Sequence, residues 1–318
     1  MEASQPEPCC AESPLEFSRK DWWTITKLSY GEIEEDNVVI VSAGVAFFSM
    51  LAIFPMITAG LSIYGFFADP VVVQQQLYTI SDILPADVWV LINEQVMDVT
   101  GDTNKAIEIK IAIGIIAALW ASGAGIRAMI RGLNIAYGEV DTRNFFVKST
   151  LGVAFTIGAV LMMFISLTVI IGVPSVLMVL KLDGITASLT KILPWSLLIF
   201  AFGFSCAVLY RYGPSRRPAK LRWIIPGVIF ATLAWLLISA GFSKFVSAFG
   251  TYNKTYGSLG AVIVLLVWLW LTNFIIIIGA EINGEMERHT DRDSTRGPDR
   301  PIGERGAAMA DWTAQGHL

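Results

Sequence analysis

Six stretches of the chain contain no Asp, Glu, Lys or Arg: 37–68, 111–126, 149–180, 192–210, 223–243 and 255–280. Polar and charged residues return in blocks between them. A helix needs about 20 consecutive apolar residues to cross the hydrocarbon core of a bilayer. In lipid, its backbone N–H and C=O groups must be satisfied internally. The pattern predicts an all-α polytopic membrane protein with six transmembrane helices. The second run has 16 residues, about 24 Å of helix. Snorkelling of Lys110 lengthens it back to Ala106, giving a span over 106–126. The runs are continuous rather than alternating, which excludes a closed β-barrel. The first and third exceed 30 residues and contain Pro55 and Pro174. Proline removes a backbone donor and crowds the preceding turn, so a kink or tilt is expected at each.

The flanking segments divide the rest. Residues 1–16 are polar and expected to be disordered. Residues 17–36 set Phe17, Trp22, Trp23, Ile25, Leu28 and Ile33 among charges, the pattern of an interfacial amphipathic helix. The membrane domain then runs over 37–286. Between spans one and two, QQQLYTISDIL and ADVWVLINEQVMDV carry apolar residues at helical spacing. They predict a short amphipathic helical cap over the outer mouth. Residues 287–318, charged and Gly-rich, are expected to form a floppy tail. Small residues recur four apart at Gly114, Ala118 and Ser122, and again at Ala154 and Gly158. This is either close helix packing in lipid or ordinary membrane composition.

Composition agrees with the pattern. Hydrophobic residues make up 54% and charged residues 16%, against about 25% charged in soluble domains. The net charge of −4 identifies no partner. No basic stripe with interleaved aromatics is present, so no nucleic-acid partner is expected. The distribution of charge is more informative. Seventeen Lys and Arg residues flank one side of the six runs and six flank the other. The positive-inside rule places both termini in the cytoplasm. No apolar core of a signal peptide precedes the first run, so cleavage is not expected. Cys9, Cys10 and Cys206 form no disulfide framework and no zinc spacing. The adjacent pair is either two exposed thiols or a site for lipid attachment.

The inventory for catalysis is thin. The two histidines are His289 and His317, both in the tail. No metalloprotease helix, phosphate loop or nucleophile–base arrangement appears. Neither an enzyme nor a cofactor is expected. Several polar groups remain, each with a structural and a functional reading. Asp36 and Asn37 either cap the first span or contact a cation or headgroup. Arg127 and Arg131, one helical turn apart with Asn134 and Tyr137 following, are a positive-inside anchor or an anion clamp. Tyr252, Asn253, Lys254 and Tyr256 precede Gly257 and Ser258. Here a turn and N-cap, or an anion site at a helix start, fit equally. Asn273 and Glu281 share one side of the last span, followed by Asn283. An ionisable residue deep in lipid is a functional candidate, whereas one at the end of a span is tolerated.

Three of these segments resemble a known family. SAGVAFFSMLAIFPM in the first span, LWASGAGIRAMIRGLNIAYG from the second, and FGTYNKTYGSLGAVIVLLVWLWLTNFIIIIGAEIN in the last are similar to the YihY/BrkB family of bacterial membrane proteins, over roughly 36–286. The matching positions are 46–55, Asn134, Tyr137, 252–257 and 279–283. The resemblance implies a six-span inner-membrane protein and no established catalytic residue. It also implies that the family's old ribonuclease label is a misassignment. Members have been linked to serum resistance and to envelope-lipid or anion transport. The expectation is a transporter or flippase-like protein for an anionic envelope lipid or a small anion. The competing expectation is a non-transporting scaffold for envelope assembly.

Overall fold

The computed structural model describes residues 10–67, 105–179, 183–248 and 253–312. Within them a 3-10 turn over Pro14–Glu16 leads into α1 (Arg19–Glu35) and α2 (Val38–Phe67). Then follow α3 (Lys105–Ala136), α4 (Phe145–Val179), α5 (Asp183–Tyr212), α6 (Leu221–Ala248), α7 (Asn253–Arg288) and the short α8 (Ala308–Asp311). Among the described residues no strand forms; the one extended pairing is a bridge between Ala219 and Thr295. Phe145–Ile170, Ile192–Tyr212, Leu221–Val246 and Val262–Arg288 are long and apolar enough to cross a membrane. The pair α1–α2, taken as one broken span, is a fifth. Large apolar side chains such as Leu233 and Leu237 stand exposed on α6, as lipid-facing positions require. The chain is an all-helical, multi-pass membrane protein. The cap expected between spans one and two falls outside the described residues.

Both ends of α1 are set locally. Ser18 opens α1 with a capping box: its side chain accepts from Asp21 N, and the Asp21 carboxylate accepts from Ser18 N. This satisfies two of the donors a helix start leaves open. Asp36 then ends α1, and Asn37 adopts φ 50°, a left-handed conformation that Asn tolerates better than other non-glycine residues. The axes turn by 64° there. Asn37 does start α2, but through its backbone: its carbonyl accepts from Ile40 N and Val41 N, while its side chain donates back to Glu35 O. Asp36 caps the preceding helix rather than the first span. Pro55 and position 174 lie inside continuous helices.

The chain forms two compact units. The first comprises Met1–Phe47, Ala128–Asn144 and Met162–Leu318. Its spine is α6 against α7, with α5 on α6 and α1 and α8 on α7. Two glycines let α6 and α7 meet. A Cβ on Gly227 would run into the Gly279 carbonyl oxygen, and one on Gly279 into the Tyr210 hydroxyl. The Tyr210 hydroxyl instead donates to Ile276 O at 2.8 Å. Asn283 accepts from Gly227 N at 2.9 Å, tying the two backbones together through a buried side chain. Aromatic rings fill the space further along, with Phe202 stacked on Trp235 at 4.4 Å.

The second unit comprises Phe48–Arg127 and Phe145–Leu161. Close approach here runs through Gly125, whose added Cβ would lie 3.0 Å from Ser49 Cα, and through Gly123 facing Gly152. Of the small residues singled out in the sequence, Ser122 is buried, whereas Ala154 is exposed and Gly158 has open space around it.

The ends of the described chain are folded. Phe17 packs edge-on to Trp22, Trp223 and His289, at 5.7 to 6.0 Å between ring centres. Thr290 donates to Ala11 O. Residues 289–312, expected to be floppy, bury His289, Thr290, Asp293, Ser294, Thr295 and Arg305. Arg305 donates to the carbonyls of Asp291, Arg292, Arg300 and Ala310. The physical reason is that these charged side chains satisfy buried backbone, which composition does not reveal. Cys10 is exposed and unbridged.

Gly227→Ala and Gly279→Ala will each lower the thermal stability of the purified protein by about 1–3 kcal/mol, the range for overpacking. Gly158→Ala will leave it within about 1 kcal/mol, as for an unhindered helical position. Unfolding followed by circular dichroism in detergent checks both.

Candidate functional site: an arginine-lined pocket at the foot of the last helix

The segment from the last turn of α5 to the start of α6, RYGPSRRPAK at 211–220, carries four arginine and lysine residues, and its two prolines keep the part after Tyr212 out of helix. Arg216 turns inward from it. Its guanidinium donates to both oxygens of Glu287, at 2.6 and 3.0 Å, and both side chains are 0% exposed. The same carboxylate accepts from Ser294 Oγ at 2.6 Å. The Arg216 guanidinium lies 4.0 Å over the Tyr137 ring, a geometry that adds cation–π attraction. Burial works against the charge on Arg216, but Glu287 and its hydrogen bonds outweigh it and hold the guanidinium firmly protonated.

Around this pair a polar network is closed by residues from every neighbouring segment. Asn134 accepts from Ser215 N at 2.7 Å. Asn283 donates to the Tyr137 hydroxyl at 3.3 Å. Arg143 pairs with Asp141 at 3.1 Å and donates to Gly213 O at 2.7 Å. The tail closes the underside: Arg217 N bonds Gly306 O, Lys220 N bonds Ser294 O, and Arg296 N bonds Pro218 O. Burial raises the Asp293 carboxyl, but the Thr295 hydroxyl and N–H and the Arg300 N–H hold it below the usual aspartate value.

These elements enclose a pocket of about 430 Å³ lined by Arg143, Arg211, Arg216, Arg217, Tyr212 and Gly306, among others. No Asp or Glu lines it. Arg211 lies over the Tyr212 ring at 5.5 Å. Three nitrogens of these arginines, Arg211 Nε, Arg216 Nε and Arg217 Nη1, are buried without a hydrogen-bond partner among the described residues. Arg217 faces Asp293 at 3.7 Å. Guanidinium groups converging on one concavity with open donors match an oxyanion, which they can meet with two parallel hydrogen bonds.

The sequence candidates fall into three places. Asn134 and Tyr137 belong to this network, as does Asn283. Arg131 is exposed, and Arg127 lies 5.9 Å from the Trp120 ring in the second unit. Neither lines the arginine pocket. Asn273 and Glu281 are buried in α7, as is Glu285. Asn273 Nδ2 and Glu281 Oε1 lack hydrogen-bond partners among the described residues. Arg288 connects that side of α7 to α1, reaching Glu32 at 2.8 Å and Glu285 at 3.3 Å. Tyr252 lies outside the described residues. Asn253, Lys254 and Tyr256 sit in the first turn of α7, which begins at Asn253 and runs through Gly257 and Ser258. The expected turn and N-cap at 257–258 are therefore interior helix.

The sequence model of the family described as Virulence factor BrkB matches residues 29–302, most of the chain. The chain belongs to the BrkB family. Its relatives include the putative ribonuclease-like protein YfkH of Bacillus subtilis, 31% identical over 78% of this chain and 89% of the relative. UPF0761 membrane proteins are also similar. That of Pseudoalteromonas translucida is 25% identical over 82% of this chain and 84% of its own length. That of Vibrio campbellii is 28% identical over 80% and 81%. No solved structure matches. In this BrkB-family chain the family match extends to residue 302, well into the folded tail. In the sequence alone Arg211, Arg216 and Arg217 read only as topology signals. Glu287, 71 residues from Arg216, went unnoticed, and local spacing carries no signal for that pairing.

Glu287→Ala will destabilise the protein by about 3–5 kcal/mol, because it strands a buried guanidinium. The double variant Arg216→Met with Glu287→Leu will be less destabilised than Glu287→Ala alone, since two apolar groups leave no unpaired charge. Thermal unfolding of the three proteins decides it. The depressed Asp293 carboxyl gives a signed pH effect. Its contribution to tail docking is complete above the ordinary aspartate value of 3.8 and is lost as pH falls through its lowered value. Limited proteolysis of residues 289–312 will therefore rise only at the acid end, and Asp293→Asn will be cleaved already at neutral pH.

Proposed function

We propose that this chain is a six-span inner-membrane transporter, both termini cytoplasmic, that takes up an anionic group at the arginine-lined pocket. The substrate class is an anionic envelope lipid or a small anion. The observation that carries the reading is the pocket itself: four arginines and no acid in its lining, built at the end of an apolar helical bundle. The basic bias of the sequence supports a cytoplasmic position for this end. The buried carboxyls of Glu281 and Glu285 support transport as well, since ionisable groups enclosed in a span commonly mark ion or proton pathways. Carriage rather than chemical conversion is favoured by the placement of His289. His289 is buried against Phe17, 3.4 Å from Asp21, and lines neither the arginine pocket nor the groove beside α6. The ribonuclease-like name belongs to the Bacillus subtilis relative. Arg127, Arg131 and Lys254 remain candidates for contacts elsewhere on the path.

Flux in proteoliposomes tests the proposal, using fluorescent anionic phospholipids and a panel of inorganic and organic anions. The intact protein will move at least one of them. Arg211→Gln will lower the rate roughly tenfold, the loss of one charge-assisted contact, while the melting temperature stays unchanged. No movement across the whole panel, or undiminished movement by Arg211→Gln, overturns the reading.

A further inference from the structure

A second concavity, unrelated to the arginine pocket, lies along the flank of α6. It has a volume of about 720 Å³, within the range of about 300–1,000 Å³ that accommodates small-molecule ligands. One wall is α1, with Trp22, Ile25 and Ser29. The opposite wall is α6, with Ile225, Pro226 and Ile229, and the floor is Ile278 and Ile282 of α7. All of these residues lie in the first compact unit.

Three observations narrow the occupant. The α6 wall belongs to the apolar span Leu221–Val246, and Ile225 and Ile229 on it are about half exposed, at 48% and 53%. The groove therefore opens sideways from a span, where hydrocarbon is the surrounding medium. Arg222 is the only charged residue in the lining. It is exposed, one residue into α6, and makes no ion pair among the described residues. Ser29 is 3% exposed, and its Oγ lacks a hydrogen-bond partner among the described residues. A long apolar trough with one unpaired cation at its end and one unsatisfied hydroxyl in its wall matches an amphiphile with an apolar tail and an anionic head. A peptide would bring backbone N–H and C=O groups that this lining cannot satisfy.

We propose that the groove holds one anionic phospholipid, an acyl chain lying between α1 and α6 and the phosphate on Arg222. The lipid fills the space that α1 leaves beside α6 and fastens α1 to the bundle. This site is separate from the proposed transport path, and binding, not flux, reports on it.

Native mass spectrometry tests the assignment on the full chain, released from nanodiscs of phosphatidylglycerol or of phosphatidylcholine. The intact protein will keep one phosphatidylglycerol per chain and retain phosphatidylcholine less. Arg222→Gln will reduce retained phosphatidylglycerol about fivefold, the weight of one cation at an anionic surface, and will leave phosphatidylcholine unchanged. Ile229→Trp, a substitution at an exposed position, will fill the trough and abolish retention of both. Circular dichroism confirms that each variant is folded. Equal retention of the two lipids by the intact protein, or a bound lipid indifferent to both substitutions, overturns the proposal. The second outcome would place the lipid on the general annulus.

Discussion

The ion pair between Arg216 and Glu287 governs the architecture of this end of the molecule. Taking either charge out of water costs several kcal/mol, and attraction alone seldom recovers it. Here the recovery comes from geometry: two parallel hydrogen bonds, a third from Ser294, and the face of Tyr137 against the guanidinium. Each of those partners comes from a different stretch of chain. The pair can therefore exist only when the α5–α6 loop, the end of α3, the end of α7 and the tail are all in place. That requirement makes a loop rich in arginine and proline into a rigid wall.

The pocket follows from the same constraint. Once Arg216 is committed to Glu287, its neighbours on the loop, Arg211 and Arg217, are held at fixed positions around the opening, and Arg143 joins them through Gly213. Positive charge is concentrated there because the acids that accompany it, Glu287, Asp293 and Asp141, lie behind the lining rather than in it. Deeper in the bundle, Asn283 and the Gly227–Gly279 contact hold α6 and α7 in register. The foot of α7 is thus fixed from the membrane side and from the tail side together.

The α1 segment adds a different kind of constraint. The break at Asp36 and the left-handed Asn37 turn the chain by 64° before α2 begins. This lays an amphipathic helix across the foot of α7 and leaves a trough beside α6. The arginine pocket and the trough share the α6 start, where Arg216 and Arg217 precede the helix and Arg222 begins it. Arg216 is held by Glu287 of α7 and Arg217 by Asp293 of the tail, whereas Arg222 makes no ion pair among the described residues.

The apolar runs by themselves determined that the chain is helical and built for lipid, because a run without charge has a favourable state only as a hydrogen-bonded helix in hydrocarbon. The motif positions Asn134, Tyr137 and Asn283 do converge in one network. Tertiary structure decided the rest. Whether a charged tail folds depends on which carbonyls its arginines can reach, and Arg305 reaches four. Whether a glycine packs depends on what crosses it: Gly227 is crossed by a helix and Gly158 is not. Arginines that look like simple topology markers became the lining of a pocket because a carboxylate 71 residues away holds their loop, and pairings at that separation leave no trace in local spacing.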